Sequence, residues 1–232
     1  VHIVSLCCPK NLVDSEVMAA SLEDGGYRLT DRPEEAAVIV VNTCGFILPA
    51  KEESIDEILR MAAWKRGGNG PCTHLVVSGC LPQRYGKGLT EALPEVDLFV
   101  GTADAPRIVE LLDQGLAGAG PRRAIGPPDF LYDHTTPRAL SSPFYTAYVK
   151  IAEGCANHCS YCVIPSIRGT LRSRSIPSVV AEVEKLTAGG VKEINLIAQD
   201  VTAFGADRDD GANLVDLLEQ LVMVDGLHWL RL

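Results

Sequence analysis

The chain has 232 residues, enough for one large or two small domains with cores of their own. Hydrophobic residues make up 47% and aromatics 6%, as in ordinary globular proteins, and the longest apolar runs (Val38-Ile39-Val40-Val41 and Leu75-Val76-Val77) are far too short to cross a bilayer. The net charge of −9 speaks against a broad nucleic-acid face, which needs basic residues, and leaves a basic protein or peptide as a fitting partner. No charged leader precedes an apolar segment, so no secretory signal is read and a cytoplasmic location is expected. In that compartment the eight cysteines stay reduced and suit metal or redox chemistry better than disulfides.

In chain order, residues 1–6 form a short apolar strand ending at Cys7-Cys8-Pro9. Val13, Val17 and Ala20 then recur at helical spacing up to the stop at Gly25-Gly26. Residues 38–42 read as a buried strand, followed by a helix marked by Ile55, Ile58, Leu59 and Ala62. Gly67-Gly68-Asn69-Gly70-Pro71 is a loop, residues 75–78 a third strand, Gly86-Lys87-Gly88 a turn and residues 97–100 a fourth strand. Alternation of this kind implies a parallel α/β sheet over residues 1–113. Residues 114–143 are rich in Gly and Pro and read as a linker or arm. A second α/β unit over 144–232 begins with a strand at 145–151. A helix follows, marked by Val179, Val183 and Leu186, with Pro177 at its start and Gly189-Gly190 at its end. A strand at 193–198, a helix marked by Leu214, Leu217, Leu218 and Leu221, and a strand at 228–232 complete it.

Two sets of cysteines stand out. Cys155, Cys159 and Cys162 are spaced C-x3-C-x2-C in one short loop. Three thiolates leave one iron of a four-iron cluster without a protein ligand, whereas electron-carrying clusters are closed by four. A zinc knuckle is the alternative, and there His158 would have to supply the fourth ligand. Cys8, Cys44 and Cys80 each sit just past the carboxyl end of a strand, where open parallel sheets bind ligands. They converge on one site if that reading holds; otherwise they are scattered buried thiols.

With these residues in view, the chain resembles the radical SAM methylthiotransferases along essentially its whole length. The segments that carry the likeness are Ser5 to Asn11, Asn42 to Phe46, Ser78 to Tyr85, and Glu153 to Arg174. The Cys8-Pro9-Lys10-Asn11, Ile164 to Gly169 and Gln199 to Gly205 strings fit the branch that modifies an aspartate of small-subunit ribosomal protein twelve rather than the branch that modifies a tRNA adenosine. The resemblance implies a Rossmann-like domain followed by the first half of a partial (β/α) barrel. It implies two 4Fe-4S clusters, one on Cys8, Cys44 and Cys80 and one on Cys155, Cys159 and Cys162, the latter binding S-adenosylmethionine. It also implies an electron donor of flavodoxin or ferredoxin type; from the short apolar runs and the acidic charge, no membrane partner and no direct nucleic-acid contact by this portion are expected. A longer barrel and a carboxy-terminal TRAM domain are part of the family pattern, so the chain is expected to be a fragment. Cys7 stands where the family usually has Gly, and a thiolate there could compete for iron.

Other residues carry weaker signals. Tyr161 packs against the cofactor's adenine or is a core aromatic. Arg168, Arg172 and Arg174 pair with a carboxylate or form a solvated basic loop. Gln199 and Asp200 end a barrel strand, where barrel enzymes place functional groups. Cys72 reads as an incidental thiol and His158 as an exposed loop residue. No catalytic acid or base is identified.

Overall fold

The computed structural model describes residues 1–6, 8–66, 70–118 and 122–232. Cys7, three residues of the loop expected at 67–71 and three of the arm expected at 114–143 lie outside the described residues. The chain divides into two compact units, Val1–Pro128 with Pro137–Ala139, and Asp129–Thr136 with Leu140–Leu232.

The first unit alternates strands and helices. In order they are β1 (His2–Ser5), α1 (Pro9–Asp24), β2 (Val38–Thr43), α2 (Leu48–Arg66), β3 (His74–Gly79), α3 (Cys80–Ala92), β4 (Leu98–Val100), α4 (Ile108–Leu116) and β5 (Arg123–Ala124). All five strands are parallel, and their order in the sheet follows the chain from β1 to β5. Ile39, Val41, Leu75, Val77 and Phe99 point to one face and pack with Ile58 and Met61 of α2 and Leu81 and Leu89 of α3. Val38, Val40, Val76, Leu98 and Val100 point to the other and pack with Met18 and Leu22 of α1 and Ile108 and Leu111 of α4. Strands covered on both faces are continuously apolar, which is why β2 and β3 show no polar alternation.

Some details differ from the sequence reading. Leu59 is 45% exposed, so it stands off the core stripe that Ile58, Met61 and Ala62 form. The helix α3 was not expected, because Pro82, Gly86 and Gly88 weigh against one. The break falls where glycine allows it, at Gly86 with φ +44°. Within residues 114–143, α4 runs on to Leu116, and Arg123–Ala124 adds an edge strand that pairs with β4.

The second unit holds β6 (Thr146–Lys150), β7 (Ala152–Glu153), α5 (Ile164–Arg168), β8 (Arg172–Ser173), α6 (Ile176–Ala188), β9 (Glu193–Ile197), α7 (Leu214–Leu221) and β10 (Trp229–Arg231). Strands β10, β9 and β6 form a parallel sheet in that order, and β7 pairs antiparallel with β8. Val179 and Val183 of α6 and Leu217 and Leu221 of α7 cover the sheet through Val149, Ile194 and Leu196. Ser175 caps α6 by accepting from Ser178 N, and Asn213 and Asp216 form a reciprocal capping box on α7. Asn213→Ala removes the half of that box made by its side chain, while the residue 213 N–H can still donate to Asp216, and is expected to lower stability by about 1 kcal/mol, read as a fall in the urea midpoint. No helix among the described residues is long and apolar enough to cross a membrane.

Candidate metal centres

Strand register places the first three cysteines on one edge of the sheet. Ser5, Asn42, Ser78 and Val100 lie level with one another across β1 to β4. Cys8 follows at the N-cap of α1, Cys44 just after β2, and Cys80 opens α3. Cys8 is exposed, while Cys44 and Cys80 are buried. The loops after β2 and β3 press together, since a Cβ on Gly45 would lie 2.6 Å from Cys80 O. Gly79, with φ +98°, lets the chain turn there.

Polar side chains hold these loops. Cys44 N donates to Ser54 Oγ (3.1 Å), and the fully buried Ser54 hydroxyl faces Ala50 O (2.7 Å) and Cys44 O (3.2 Å). Arg84 Nη1 donates to Gly45 O (2.7 Å) and Phe46 O (3.0 Å). Asn11, fully buried, reaches toward all three loops. Among the described residues no group of three or more His, Cys, Asp or Glu side chains is gathered tightly enough for a single metal ion. A four-iron cluster spreads its ligands over the corners of a cube, wider than the tetrahedron of one zinc ion. A soft donor set on three adjacent loops fits such a cluster by donor chemistry and by placement.

The second set lies in a loop entered from β6 through β7. Gly154 takes φ +70°, and Cys155 N then donates to Gly169 O (3.2 Å). Cys162 N donates to Cys159 O (3.0 Å), closing a turn, and Asn157 N lies 3.4 Å from Cys155 Sγ. Three soft donors in one short loop, one of them with a backbone N–H directed at its sulfur, also fit a cluster by donor chemistry. Cys155 and Cys162 are half-buried and Cys159 is exposed.

Beneath the loop lies a charge cluster. Lys150 Nζ meets Glu153 Oε1 at 2.5 Å, and Arg168 Nη1 lies 3.6 Å from the same oxygen. All three side chains are at most 5% exposed, and Lys150 also sits 4.5 Å from the centre of the Tyr132 ring. Arg174 is buried, donating to Lys150 O (2.9 Å) and Ser178 O (3.0 Å) and pairing with Glu182. Arg168 and Arg174 thus meet the protein's own carboxylates and are not a solvated loop. Arg172 donates to Thr170 O (2.8 Å) and Arg168 O (3.1 Å).

Tyr161 is 88% exposed, which removes its core reading. Gln199 is half-buried just past β9. Asp200 accepts from Thr202 and from Asn157 Nδ2 (3.0 Å), linking the end of β9 to the cysteine loop, and these bonds hold its carboxyl below the usual range. His158 is exposed. Cys72 is buried, and burial pushes its thiol up, as suits an incidental cysteine. The sequence reading assigned no role to Asn11, Ser54, Arg84, Lys150 or Glu153. A cation at the end of an apolar strand, Lys150, was the available signal, since lysine is buried only with a partner.

Residues 1–101 match the family described as uncharacterized protein family UPF0004, and residues 149–229 match the radical SAM superfamily. Among solved structures, the radical S-adenosylmethionine methyltransferase TsrM from Kitasatospora setae is similar with a TM-score of 0.62 at 17% identity, over 95% of this chain and 50% of that one. The cobalamin-dependent S-adenosylmethionine radical enzyme OxsB gives 0.59 at 11%, over 98% of this chain and 38% of that one. At such identities the likeness is one of fold alone. The proteins named ribosomal protein uS12 methylthiotransferase RimO from Syntrophotalea carbinolica and Geobacter sulfurreducens are 57% and 53% identical over 100% of this chain. Along its whole length the chain is thus similar to radical SAM methylthiotransferases of the RimO type. It spans about half the length of these curated relatives, 50% and 52%.

Proposed function

We propose that this chain serves an enzyme that adds a methylthio group to the β-carbon of an aspartate in ribosomal protein uS12. The observation that carries the reading is the pair of separate three-cysteine sets, one in each unit, on a chain 57% identical throughout to a protein of that name. Cys155, Cys159 and Cys162 would hold the cluster that binds S-adenosylmethionine, and Cys8, Cys44 and Cys80 a second one. Bound there, the first cluster supplies the one-electron reduction that splits S-adenosylmethionine to a hydrogen-abstracting radical, and the second a place to carry sulfur.

The chain's own residues do the positioning. Asn157 N donates toward Cys155 Sγ (3.4 Å) and orients it, and Asp200 ties the loop to the end of β9. Tyr161, exposed between Cys159 and Cys162, would pack against the cofactor's adenine, with Gln199, beside Asp200, also facing the cofactor in this reading. An acidic chain suits a basic ribosomal protein, and a flavodoxin or ferredoxin would bring the electron.

Anaerobic reconstitution of the full-length protein tests this. About eight irons per chain are expected, falling to about four in a Cys8, Cys44 and Cys80 triple alanine variant. About four irons in the parent, unchanged by those substitutions, would sink the reading.

A further inference from the structure

We infer that Asn11 is the positioning residue of the Cys8, Cys44 and Cys80 site, its carboxamide setting how tightly those loops hold iron. This rests on the cluster reading of the three cysteines. Asn11 lies in the first turn of α1, three residues after Cys8, and is 0% exposed. Its Nδ2 donates to Thr43 O (2.9 Å), beside Cys44, and to Leu6 O (3.3 Å), in the connection that carries Cys8. Its Oδ1 accepts from Cys80 Sγ at 3.7 Å. Its own carbonyl accepts from Asn42 Nδ2 (2.8 Å), which also donates to Ser15 Oγ (2.9 Å). One side chain therefore engages the chain at or just past the carboxyl end of each of three adjacent strands.

A primary amide has two hydrogens and one oxygen. Here both hydrogens face carbonyls, so the oxygen is left to face sulfur. Turning the amide over would set its oxygen against two carbonyl oxygens. The neighbours thus fix its orientation. Iron binding takes the proton from Cys80, because thiolate is the ligating form. The bonds to Thr43 O and Leu6 O do not depend on that proton and keep the loops together whether or not iron is present.

A purely structural residue would stabilise the fold without altering iron retention. An outer partner of metal ligands changes affinity by about 10- to 100-fold when removed. The test uses full-length protein with Cys155, Cys159 and Cys162 changed to alanine, so that only the first site loads. Iron release to an excess of ferrous chelator is followed after anaerobic reconstitution, beside the thermal midpoint of the iron-free protein. Asn11→Ala and Asn11→Asp, the latter keeping the shape but losing both hydrogens, are expected to release iron about tenfold faster or more. Ser15→Ala loosens the same network away from the cysteine sulfurs and is expected to lower the midpoint with the release rate unchanged. Should Asn11→Ala not fold, Asn11→Asp carries the comparison. Release at the parent's rate, or no faster than in Ser15→Ala, would overturn the inference alone. A parent that binds no iron would overturn the cluster reading and this inference with it.

Discussion

Glu153→Ala is expected to lower the free energy of unfolding by about 3–5 kcal/mol, because it leaves buried positive charge without its carboxylate. Lys150 and Arg168 both face Glu153 Oε1, at 2.5 and 3.6 Å, in a pocket that water barely reaches. Desolvating two cations is costly, and the shared carboxylate offsets that cost. Glu153→Gln keeps the shape but not the charge, so most of the loss should persist. Pairing Glu153→Ala with Lys150→Met should recover part of it, since the lysine charge then goes too. The measurement is the urea midpoint of the four proteins at constant m-value. A shift of less than about 1 kcal/mol for Glu153→Ala would mean that water already reaches the cluster.

Gly154→Ala is expected to cost about 3 kcal/mol or more and to dislodge the second cysteine loop. Its φ of +70° is strained for any other residue, and a Cβ would lie 1.9 Å from Thr170 O and 2.6 Å from Gly169 O. Those are backbone atoms and cannot rotate aside. Relief requires moving the Gly169–Thr170 segment, which accepts the Cys155 N–H. Gly190 provides the contrast, with φ +102° but nothing within 4 Å of a Cβ. Gly190→Ala should therefore cost only about 1 kcal/mol of backbone strain. Hydrogen exchange separates the two, because Gly154→Ala should expose the Cys155 amide and Gly190→Ala should leave it protected. Equal protection in both variants would refute the steric argument.

The strands of the first unit were legible because β2 and β3 are unbroken apolar runs, and the cysteines could be placed because each directly follows such a run. The helices α6 and α7 were legible from apolar spacing and caps. What escaped was mostly non-local. The stop at Gly86 hid α3, and two-residue β5 carries no pattern of its own. Asn11 looks like any early-helix polar residue until three loops close on it. The charged triad needs residues from β6, β7 and α5 to meet, and spacing along the chain says nothing of that. Leu59 shows the converse error, an apolar residue whose spacing suggested burial and whose position on α2 leaves it in solvent.

The sheet order bears on how the chain finds its fold. Between β1 and β2 the chain first turns outward: Val1 N donates to Arg28 O and Val1 O accepts from Thr30 N (2.9 Å), so the segment after α1 runs beside β1 on the edge that β2 leaves open. The chain then returns to β2, and α1 packs on one face of the sheet and α2 on the other. Crossovers that step in opposite directions on opposite faces share one hand, so both fit the common right-handed form. The outward excursion leaves α1 to be held by its own contacts. Met18 and Leu22 anchor it to the sheet, and Arg138 grips Glu16 at 2.7 Å from 122 residues away along the chain. Closing so long a loop is slow. The seat of α1 is therefore expected to close among the later contacts of the first unit, completed by a residue beyond its last strand.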